Sequence, residues 1–299
     1  MGAVIYKNQS SPRRRGPRAN SGKNWVPAFA GMIGKKKISL AYLRAYPFSP
    51  VYSNPMRENY TLTRLYVEGV FSAESSVELP KEQAHYLGNV LRKGEGDEVR
   101  VFNGIDGEWR AEIASLSKRS VTLAVKKQLR EPKACPDITL CFAPVRKHRT
   151  AFIIEKATEL GARVLQPVIT ARTQFPKFNA AKVRLQAIEA AEQTERLDIP
   201  SVAEPLKLEA LLAGWDSKRH LIFADEAGGA ASAMQTLPFK KGPAAILIGP
   251  EGGFTPQERE LLHAQSFVTP VSLGPRILRA DTAALSLLTL WQAVQGDWT

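Results

Sequence analysis

Two glycine-rich loops carry the residues best suited to bind a small ligand and act on it. The first, Ile248-Gly-Pro-Glu-Gly-Gly-Phe254, has three glycines within five residues, so backbone N–H and C=O groups can approach a ligand closely. Glu251 is its only charged residue. The loop lacks the Gly-Lys-Ser/Thr of a P-loop and the G-x-G-x-x-G of a dinucleotide site. The alternative is a tight turn before a helix.

The second loop, Leu273-Gly-Pro-Arg-Ile-Leu-Arg-Ala-Asp-Thr282, repeats this design, with Gly-Pro between an apolar run and an apolar helix. Arg276 and Arg279 lie three residues apart, and Asp281 lies where a negative charge suits a helix N-terminus. Ligands of open α/β sheets bind at the carboxyl ends of strands, which is where both loops are expected. The alternative is that Asp281 or Thr282 only caps the helix and that the arginines are surface charge.

Charged residues also cluster near the ends of two predicted helices. Arg146-Lys-His-Arg149 precedes one helix, and Glu189-Ala-Ala-Glu-Gln-Thr-Glu-Arg196 ends the next long one. Gln193 lies four residues from Glu189 and three from Arg196, so the three are predicted to share a polar face towards a ligand or partner. A solvated helix face is the alternative.

Serine-hydrolase and metal chemistry are not favoured. The chain has no G-x-S-x-G, and its four histidines lack ligand spacing with one another or with carboxylates. The only cysteines, Cys135 and Cys141, form neither a disulfide framework nor a C-x2-C pair. We therefore expect no metal and a reducing, cytoplasmic location.

With 299 residues the chain has room for about two domains. Short strands of period two separated by glycine-rich turns predict a small β barrel over 61–131. Its predicted strands are 64–67, 98–103, 109–115 and 121–127, with a helix over 81–91. The segment Glu131-Pro-Lys-Ala-Cys-Pro136 is typical of a linker, because proline disfavours both regular elements.

Strands then alternate with helices over 137–299, which predicts an α/β domain with a mostly parallel sheet. The predicted strands are 138–143, 164–169, 221–224, 245–248 and 268–273, and the predicted helices are 150–160, 180–194, 256–265 and 282–294. Gly161 is expected to end a helix. Thr255-Pro-Gln-Glu258 has the spacing of a capping box with proline at the first helical position.

The net charge of +12 lies almost entirely in the N-terminal segment. Residues 1–55 hold ten of the 41 Lys and Arg and no Asp or Glu. The remaining residues therefore hold 31 Lys and Arg and 29 Asp and Glu, a net charge of about +2. We predict a disordered basic extension over 1–60. Three interpretations are considered: an arm that binds nucleic acid, an organelle transit peptide, and translated sequence upstream of a true start at Met56. The last is favoured. No apolar run approaches the roughly 18 residues of a membrane span, so no membrane partner is expected.

Several separated motifs resemble the ribosomal RNA small subunit methyltransferase E family. They are His85-Tyr-Leu-Gly-Asn-Val-Leu-Arg92 with Gly96-Asp97, Glu155-Lys-Ala-Thr-Glu-Leu-Gly161, Glu189-Ala-Ala-Glu-Gln193 with Arg196 and Pro200, Gly249-Pro-Glu-Gly-Gly253, and Leu273-Gly-Pro-Arg-Ile-Leu-Arg279. The resemblance covers residues 64 to about 297. The chain departs from the family pattern at three places. It has Arg146-Lys-His-Arg149 where the family usually has a run like Lys-Gly-Asp-Arg, and Glu195 where the family commonly has Gly. It also has Ala280-Asp281 where Thr-Glu is common in the family.

The resemblance implies methylation of N3 of a uridine in 16S rRNA of the small ribosomal subunit, with S-adenosyl-L-methionine as cofactor. It also implies a SPOUT-type parallel sheet with a C-terminal trefoil knot, preceded by a small PUA-like β barrel that binds RNA, and a homodimer with active sites at the interface. A 2′-O-ribose methyltransferase of the same fold and a non-catalytic RNA-binding ribosome-assembly factor remain alternatives.

On this hypothesis Arg279 stabilises charge on the uracil oxygens, and Glu251 orients the base or relays its proton. The expected cofactor-binding residues are Leu247, Gly249, Pro250, Glu251, Gly252, Gly253, Leu273, Gly274, Arg276, Ile277, Leu278 and Ala280. The expected RNA-binding residues are Arg64, His85, Arg92, Lys147, Arg149, Arg172, Gln193 and Arg196.

Overall fold

Five short strands between residues 64 and 130 form the first sheet of the computed structural model, which describes residues 59, 61–117, 119–239 and 241–298. The strands are β1 (Arg64–Tyr66), β2 (Ser76–Leu79), β3 (Glu98–Phe102), β4 (Glu108–Leu116) and β5 (Val121–Arg130). Their order is β1-β3-β4-β5-β2, and only the β1–β3 pair is parallel. The predicted basic extension lies outside the described residues, apart from position 59.

Inward-facing apolar side chains such as Val99, Val101, Ile113 and Leu123 form the core of this small β domain. The predicted helix over 81–91 is divided: α1 (Lys81–His85) continues into a π-helical turn over Tyr86–Val90. β2 was not predicted from the sequence, because the apolar and polar residues of this strand alternate over only four positions.

A seven-stranded sheet, parallel throughout, forms the second part. Its strands are β6 (Ile138–Phe142), β7 (Val164–Ile169), β8 (Ser201–Val202), β9 (Leu206–Lys207), β10 (His220–Ala224), β11 (Ala244–Ile248) and β12 (Val268–Val271). The order is β12-β10-β11-β6-β7-β8, and β9 also pairs with β7. The predicted parallel α/β architecture behind a small β domain is thereby confirmed, whereas the trefoil knot stays a prediction.

Helices cover both faces of this sheet. They are α2 (Lys147–Glu159), α3 (Ala180–Gln193), α4 (Leu208–Ala213), α5 (Ala233–Thr236), α6 (Pro256–His263) and α7 (Ala280–Gln295), with a 3-10 turn over Leu237–Phe239. In β11, Ile246 packs in the same core as α2, α3 and α7, while Leu247 packs with α4 and α6. Doubly covered strands must be apolar at every position, which explains why all five residues of β11 are buried.

Two local predictions of chain geometry are confirmed. Gly161 follows α2 with a positive φ of 76°, which glycine adopts without steric cost. Thr255 caps α6, and Glu258 completes the reciprocal capping box. In the described part of the chain, no helix combines the length and apolar character needed to cross a bilayer.

Candidate active site

A cavity of about 550 Å³ lies at the carboxyl ends of three adjacent strands. Its walls are the loops that follow β10, β11 and β12 and the first turn of α7. This volume is in the range that holds a drug-sized ligand, about 300–1,000 Å³. Of the expected cofactor-binding residues, all but two line it: Gly249, Pro250, Glu251, Gly253, Leu273, Gly274, Arg276, Ile277, Leu278 and Ala280.

The two exceptions are Leu247 and Gly252. Leu247 is fully buried among apolar side chains, so its side chain does not face the cavity, and the expectation that its backbone helps to hold the adenosyl group stays a prediction. Gly252 lies against the side chain of Arg172 and does not line the cavity. Its neighbours in the loop thus face the cavity while Gly252 faces outward.

Glycine is required at Gly249 and Gly253 for steric reasons. A Cβ on Gly249 would lie 2.7 Å from Cε2 of Phe254, which is buried and packs edge-to-face on Phe223. Gly253 has a φ of 66°, and a Cβ there would overlap the carboxylate of Glu226. A Cβ on Gly274, by contrast, would meet no atom within 4 Å, so the backbone there is bare towards the cavity.

Arg172 supports the first loop from outside the cavity. Its Nη1 donates to the carbonyl oxygen of Gly252 at 2.7 Å and to that of Phe254 at 3.3 Å. The adjacent Ala171 amide donates to the buried carboxylate of Glu258 at 2.7 Å. The guanidinium of Arg172 thus holds the glycine-rich loop in place, and because the residue is exposed its contact with RNA stays a prediction.

The loop after β10 forms a third wall that the sequence analysis missed. Asp225 is almost fully buried there, and its carboxylate accepts hydrogen bonds from Nη2 of Arg259 at 2.9 Å and from the Ala227 amide at 3.1 Å. His263 Nε2 lies 3.3 Å from the same carboxylate. Burial alone would raise the pKa of Asp225, but these hydrogen bonds outweigh it and lower the pKa below its ordinary value. The signal was an apolar strand followed by Asp225-Glu-Ala-Gly-Gly229.

A second cavity, of about 420 Å³, adjoins the first. It is lined by Arg146, Arg149, Gln174, Glu251 and Arg279. Glu251 and Arg279 line both cavities, so a cationic and an anionic side chain lie where the two spaces meet. Both residues were predicted from the sequence to do chemistry.

Arg279 immediately precedes α7 and is its N-cap residue, without a capping side chain. The alternative that Asp281 or Thr282 caps this helix is therefore wrong. Asp281 lies in the first helical turn, where its carboxylate accepts from the Thr282 amide and suits the helix dipole.

Arg64 and Arg196 were predicted to contact RNA, but both are buried, so these two predictions are wrong. The guanidinium of Arg64 pairs with Glu108 and donates to the carbonyl oxygens of Ala191 and Arg196. Arg196 pairs with Asp198 and donates to the carbonyl oxygen of Thr158, as part of the packing around α2. Neither guanidinium is accessible to a phosphate group.

The shared polar face predicted for Glu189, Gln193 and Arg196 is also wrong. α3 ends at Gln193, and Arg196 turns into the interior. Between them, Glu195 has a φ of 61° and pairs with Arg100 and Arg130 of the β domain. The remaining predicted RNA contacts are at least partly exposed: His85, Arg92, Lys147, Arg149 and Gln193. The described residues hold no group of three or more His, Cys, Asp or Glu side chains placed to bind a metal ion.

Comparisons with known proteins agree with this architecture. Residues 131–292 match the model of an RNA methyltransferase domain, and residues 79–126 match that of an RNA methyltransferase PUA domain. The Ribosomal RNA small subunit methyltransferase E of Rickettsia conorii is 32% identical over 228 residues, which are 75% of this chain and 93% of that protein. That of Bacillus subtilis is 33% identical over 221 residues, 70% of this chain and 86% of the relative.

Solved structures give the same result. The Neisseria gonorrhoeae Ribosomal RNA small subunit methyltransferase E bound to S-adenosyl methionine has a TM-score of 0.71 and 28% identity, over 80% of this chain and 100% of that one. A putative methyltransferase of Legionella pneumophila in complex with S-adenosyl methionine has a TM-score of 0.71 and 31% identity, over 79% of this chain and 99% of that one. From these matches and the glycine-rich loops around its cavity, the chain belongs to the ribosomal RNA small subunit methyltransferase E family.

Proposed function

We propose that this protein transfers a methyl group from S-adenosyl-L-methionine to N3 of a uridine in 16S rRNA of the small ribosomal subunit. The observation that carries the proposal is the pair of adjoining cavities that meet at Glu251 and Arg279. One cavity has the dimensions and bare backbone of a cofactor site, and the other opens beside it with basic walls.

The residues around the first cavity fit the proposed cofactor. S-adenosyl-L-methionine carries a carboxylate, an ammonium and a sulfonium group, and the lining includes Arg276 as well as Asp225 and Glu226. The bare backbone at Gly274 leaves room for the adenosyl group against the chain. When bound, the cofactor supplies an electrophilic methyl group on its sulfonium.

The chain's own residues then supply orientation and charge. The uridine N3 proton is weakly acidic, so transfer requires loss of that proton and stabilisation of the negative charge left on the base. In this proposal Glu251 accepts the N3 proton and Arg279 donates hydrogen bonds to a uracil oxygen, since both line the second cavity. Because both line the boundary of the cavities, they act where base and methyl group meet.

The protein is further proposed to act as a homodimer in the cytoplasm, where ribosomal subunits are assembled. The resemblance implies the dimer, and Ile277, an apolar side chain that is 82% exposed on a cavity loop, is proposed as one of its contacts. Light scattering coupled to size exclusion tests the dimer, and a monomer at micromolar concentration contradicts it.

The function is tested by incubating the protein with labelled S-adenosyl-L-methionine and small subunits that lack the modification. We expect label in 16S rRNA. Arg163→Ala, which removes an exposed arginine just before β7 and distant from both cavities in the sheet, serves as the active control. Cofactor binding without transfer to any ribosomal RNA contradicts the proposal and favours a non-catalytic RNA-binding role.

A further inference from the structure

The second cavity has the composition of a nucleotide pocket. Arg146 and Arg149 come from the start of α2, Gln174 follows β7, and Glu251 and Arg279 come from the loops of the first cavity. Three guanidinium groups face one carboxylate, so the lining has two more positive than negative charges. Such a space attracts a phosphodiester.

The three arginines of this cavity have no side-chain partner among the residues that the structure describes. Within the described residues, the side chains of Arg146, Arg149 and Arg279 make no ion pair and no hydrogen bond, and neither does that of Glu251. Elsewhere in the same domain, Arg219 and Arg259 are paired with Asp137 and Asp225. Unpaired guanidinium groups around a cavity are available to an anionic ligand.

The start of α2 adds a second reason. Its first turn carries no acid, whereas Arg146, Lys147 and Arg149 place positive charge at a helix N-terminus. The helix dipole is positive there, so this arrangement is unfavourable for the isolated helix and becomes favourable when an anion binds. No acidic side chain within the described residues pairs with these groups, so a bound anion would supply the missing negative charge.

Gln174 is the one neutral polar residue of the lining. Its side chain is exposed and makes no hydrogen bond within the described residues. The amide NH2 of Gln174 can donate to a base carbonyl, whereas its amide oxygen can only accept, so uridine is preferred when the NH2 faces the base. Uracil has carbonyl groups on both sides of N3, whereas cytosine has an amino group in place of one of them.

We propose that this cavity binds the target nucleotide of the RNA, with its 5′-phosphate on Arg146 and Arg149 and its two carbonyl oxygens on Gln174 and Arg279. This inference rests on the proposed function and adds the groups that position and select the nucleotide. It places N3 of the base, between its two carbonyl groups, at the boundary that Glu251 shares with the first cavity. Gln174 is thus a specificity-determining residue and Arg146 a phosphate-binding one.

The phosphate contact is tested with uridine 5′-monophosphate and the full chain, by ligand-observed NMR, which detects dissociation constants on the order of 1 mM. We expect Arg146→Ala to weaken binding about tenfold, as for a lost charge-assisted hydrogen bond, and Arg146→Lys to restore most of it. Uridine without phosphate should bind Arg146→Ala and wild type equally. Arg163→Ala removes the same charge at the amino end of β7, whereas Gln174 follows the carboxyl end of that strand, and it should leave binding unchanged.

The inference is overturned if wild type gives no signal with uridine 5′-monophosphate, or if Arg146→Ala and Arg163→Ala weaken binding equally. The second result would mean that general positive charge, rather than the cavity, attracts the nucleotide.

Base selection is tested by comparing uridine and cytidine monophosphates. Gln174→Ala removes an exposed side chain that makes no hydrogen bond within the described residues, so it should fold normally and reduce the preference for uridine about tenfold. Arg146→Ala should weaken both nucleotides and leave their ratio unchanged. An unaltered ratio in Gln174→Ala refutes the role of Gln174.

Methyl transfer to small subunits separates this inference from the proposed function. Arg146→Ala and Gln174→Ala should raise KM for the subunit without changing Kd for S-adenosyl-L-methionine. If the wild-type protein is active and both variants have the wild-type KM, the proposed nucleotide pocket is refuted and the proposed function is not. If the wild-type protein is inactive but binds uridine 5′-monophosphate through Arg146, the proposed function is refuted and the nucleotide pocket is not.

Discussion

A single methyl group added at Gly249 tests the shape of the proposed cofactor cavity. An alanine Cβ there would lie 2.7 Å from Cε2 of Phe254 and 3.1 Å from its Cδ2. Carbon atoms prefer separations of about 3.5–4.0 Å. Phe254 is 3% exposed and its ring packs 5.1 Å from that of Phe223, so it has no space into which to move. The loop with its cavity-facing backbone must shift instead.

The expected cost follows from this overlap. Overpacking of a well-packed site costs about 1–3 kcal/mol. If the loop must return to its original position to bind the ligand, the same energy weakens S-adenosyl-L-methionine binding by about 5- to 150-fold. The matched control is Gly252→Ala in the same loop, where the new Cβ would lie 3.4 Å from two carbons of Arg172, an ordinary contact.

Isothermal titration calorimetry measures the affinity of both variants, and thermal unfolding shows whether they fold. We expect Gly249→Ala to lose affinity and Gly252→Ala to resemble wild type. If both variants fold and bind S-adenosyl-L-methionine equally tightly, the argument from the Phe254 contact is refuted.

Three further predictions concern single side chains. Arg279→Ala should lower kcat about 100-fold or more while changing cofactor affinity little, since its charge acts on the transition state; equal losses in the two measurements contradict this. Glu195→Gln should lower the free energy of unfolding in urea because Arg100 and Arg130 lose a carboxylate, and Glu195→Gly should lower it less because glycine relieves about 1 kcal/mol of strain at φ 61°. A glycine variant that loses as much stability as the glutamine variant, or more, contradicts this. Asp225 has a lowered pKa, so its carboxylate contributes fully to the stability of the fold above the ordinary aspartate pKa of about 3.9, and this contribution is lost as pH falls below that value. The difference in Tm between wild type and Asp225→Asn should therefore narrow below about pH 4, and a difference that stays constant with pH refutes this prediction.

The sequence predicted the elements whose signals are local. The capping box at Thr255 and the positive φ at Gly161 depend on residues within one turn, and both are present. The apolar strands of the parallel sheet were recognisable because both faces are covered, so no alternation obscured them. The two glycine-rich loops followed from these strands, and most of their residues line one cavity.

What the sequence did not predict depends on contacts between distant residues. Arg64 looked like a phosphate contact, but it lies against Glu108 and the end of α3, more than 40 and 120 residues away. Arg172 supports a loop 80 residues further along the chain. The wall at Asp225 was missed because a short acidic turn is recognisable as part of a site only when β10 is seen between β11 and β12.

The most direct test of the proposed function is the identity of the methylated nucleoside. Small subunits lacking the modification are incubated with the protein and S-adenosyl-L-methionine, and the 16S rRNA is digested and analysed by mass spectrometry with chromatographic standards. The account predicts N3-methyluridine. A methyl group on a ribose 2′-oxygen or on another base would contradict it.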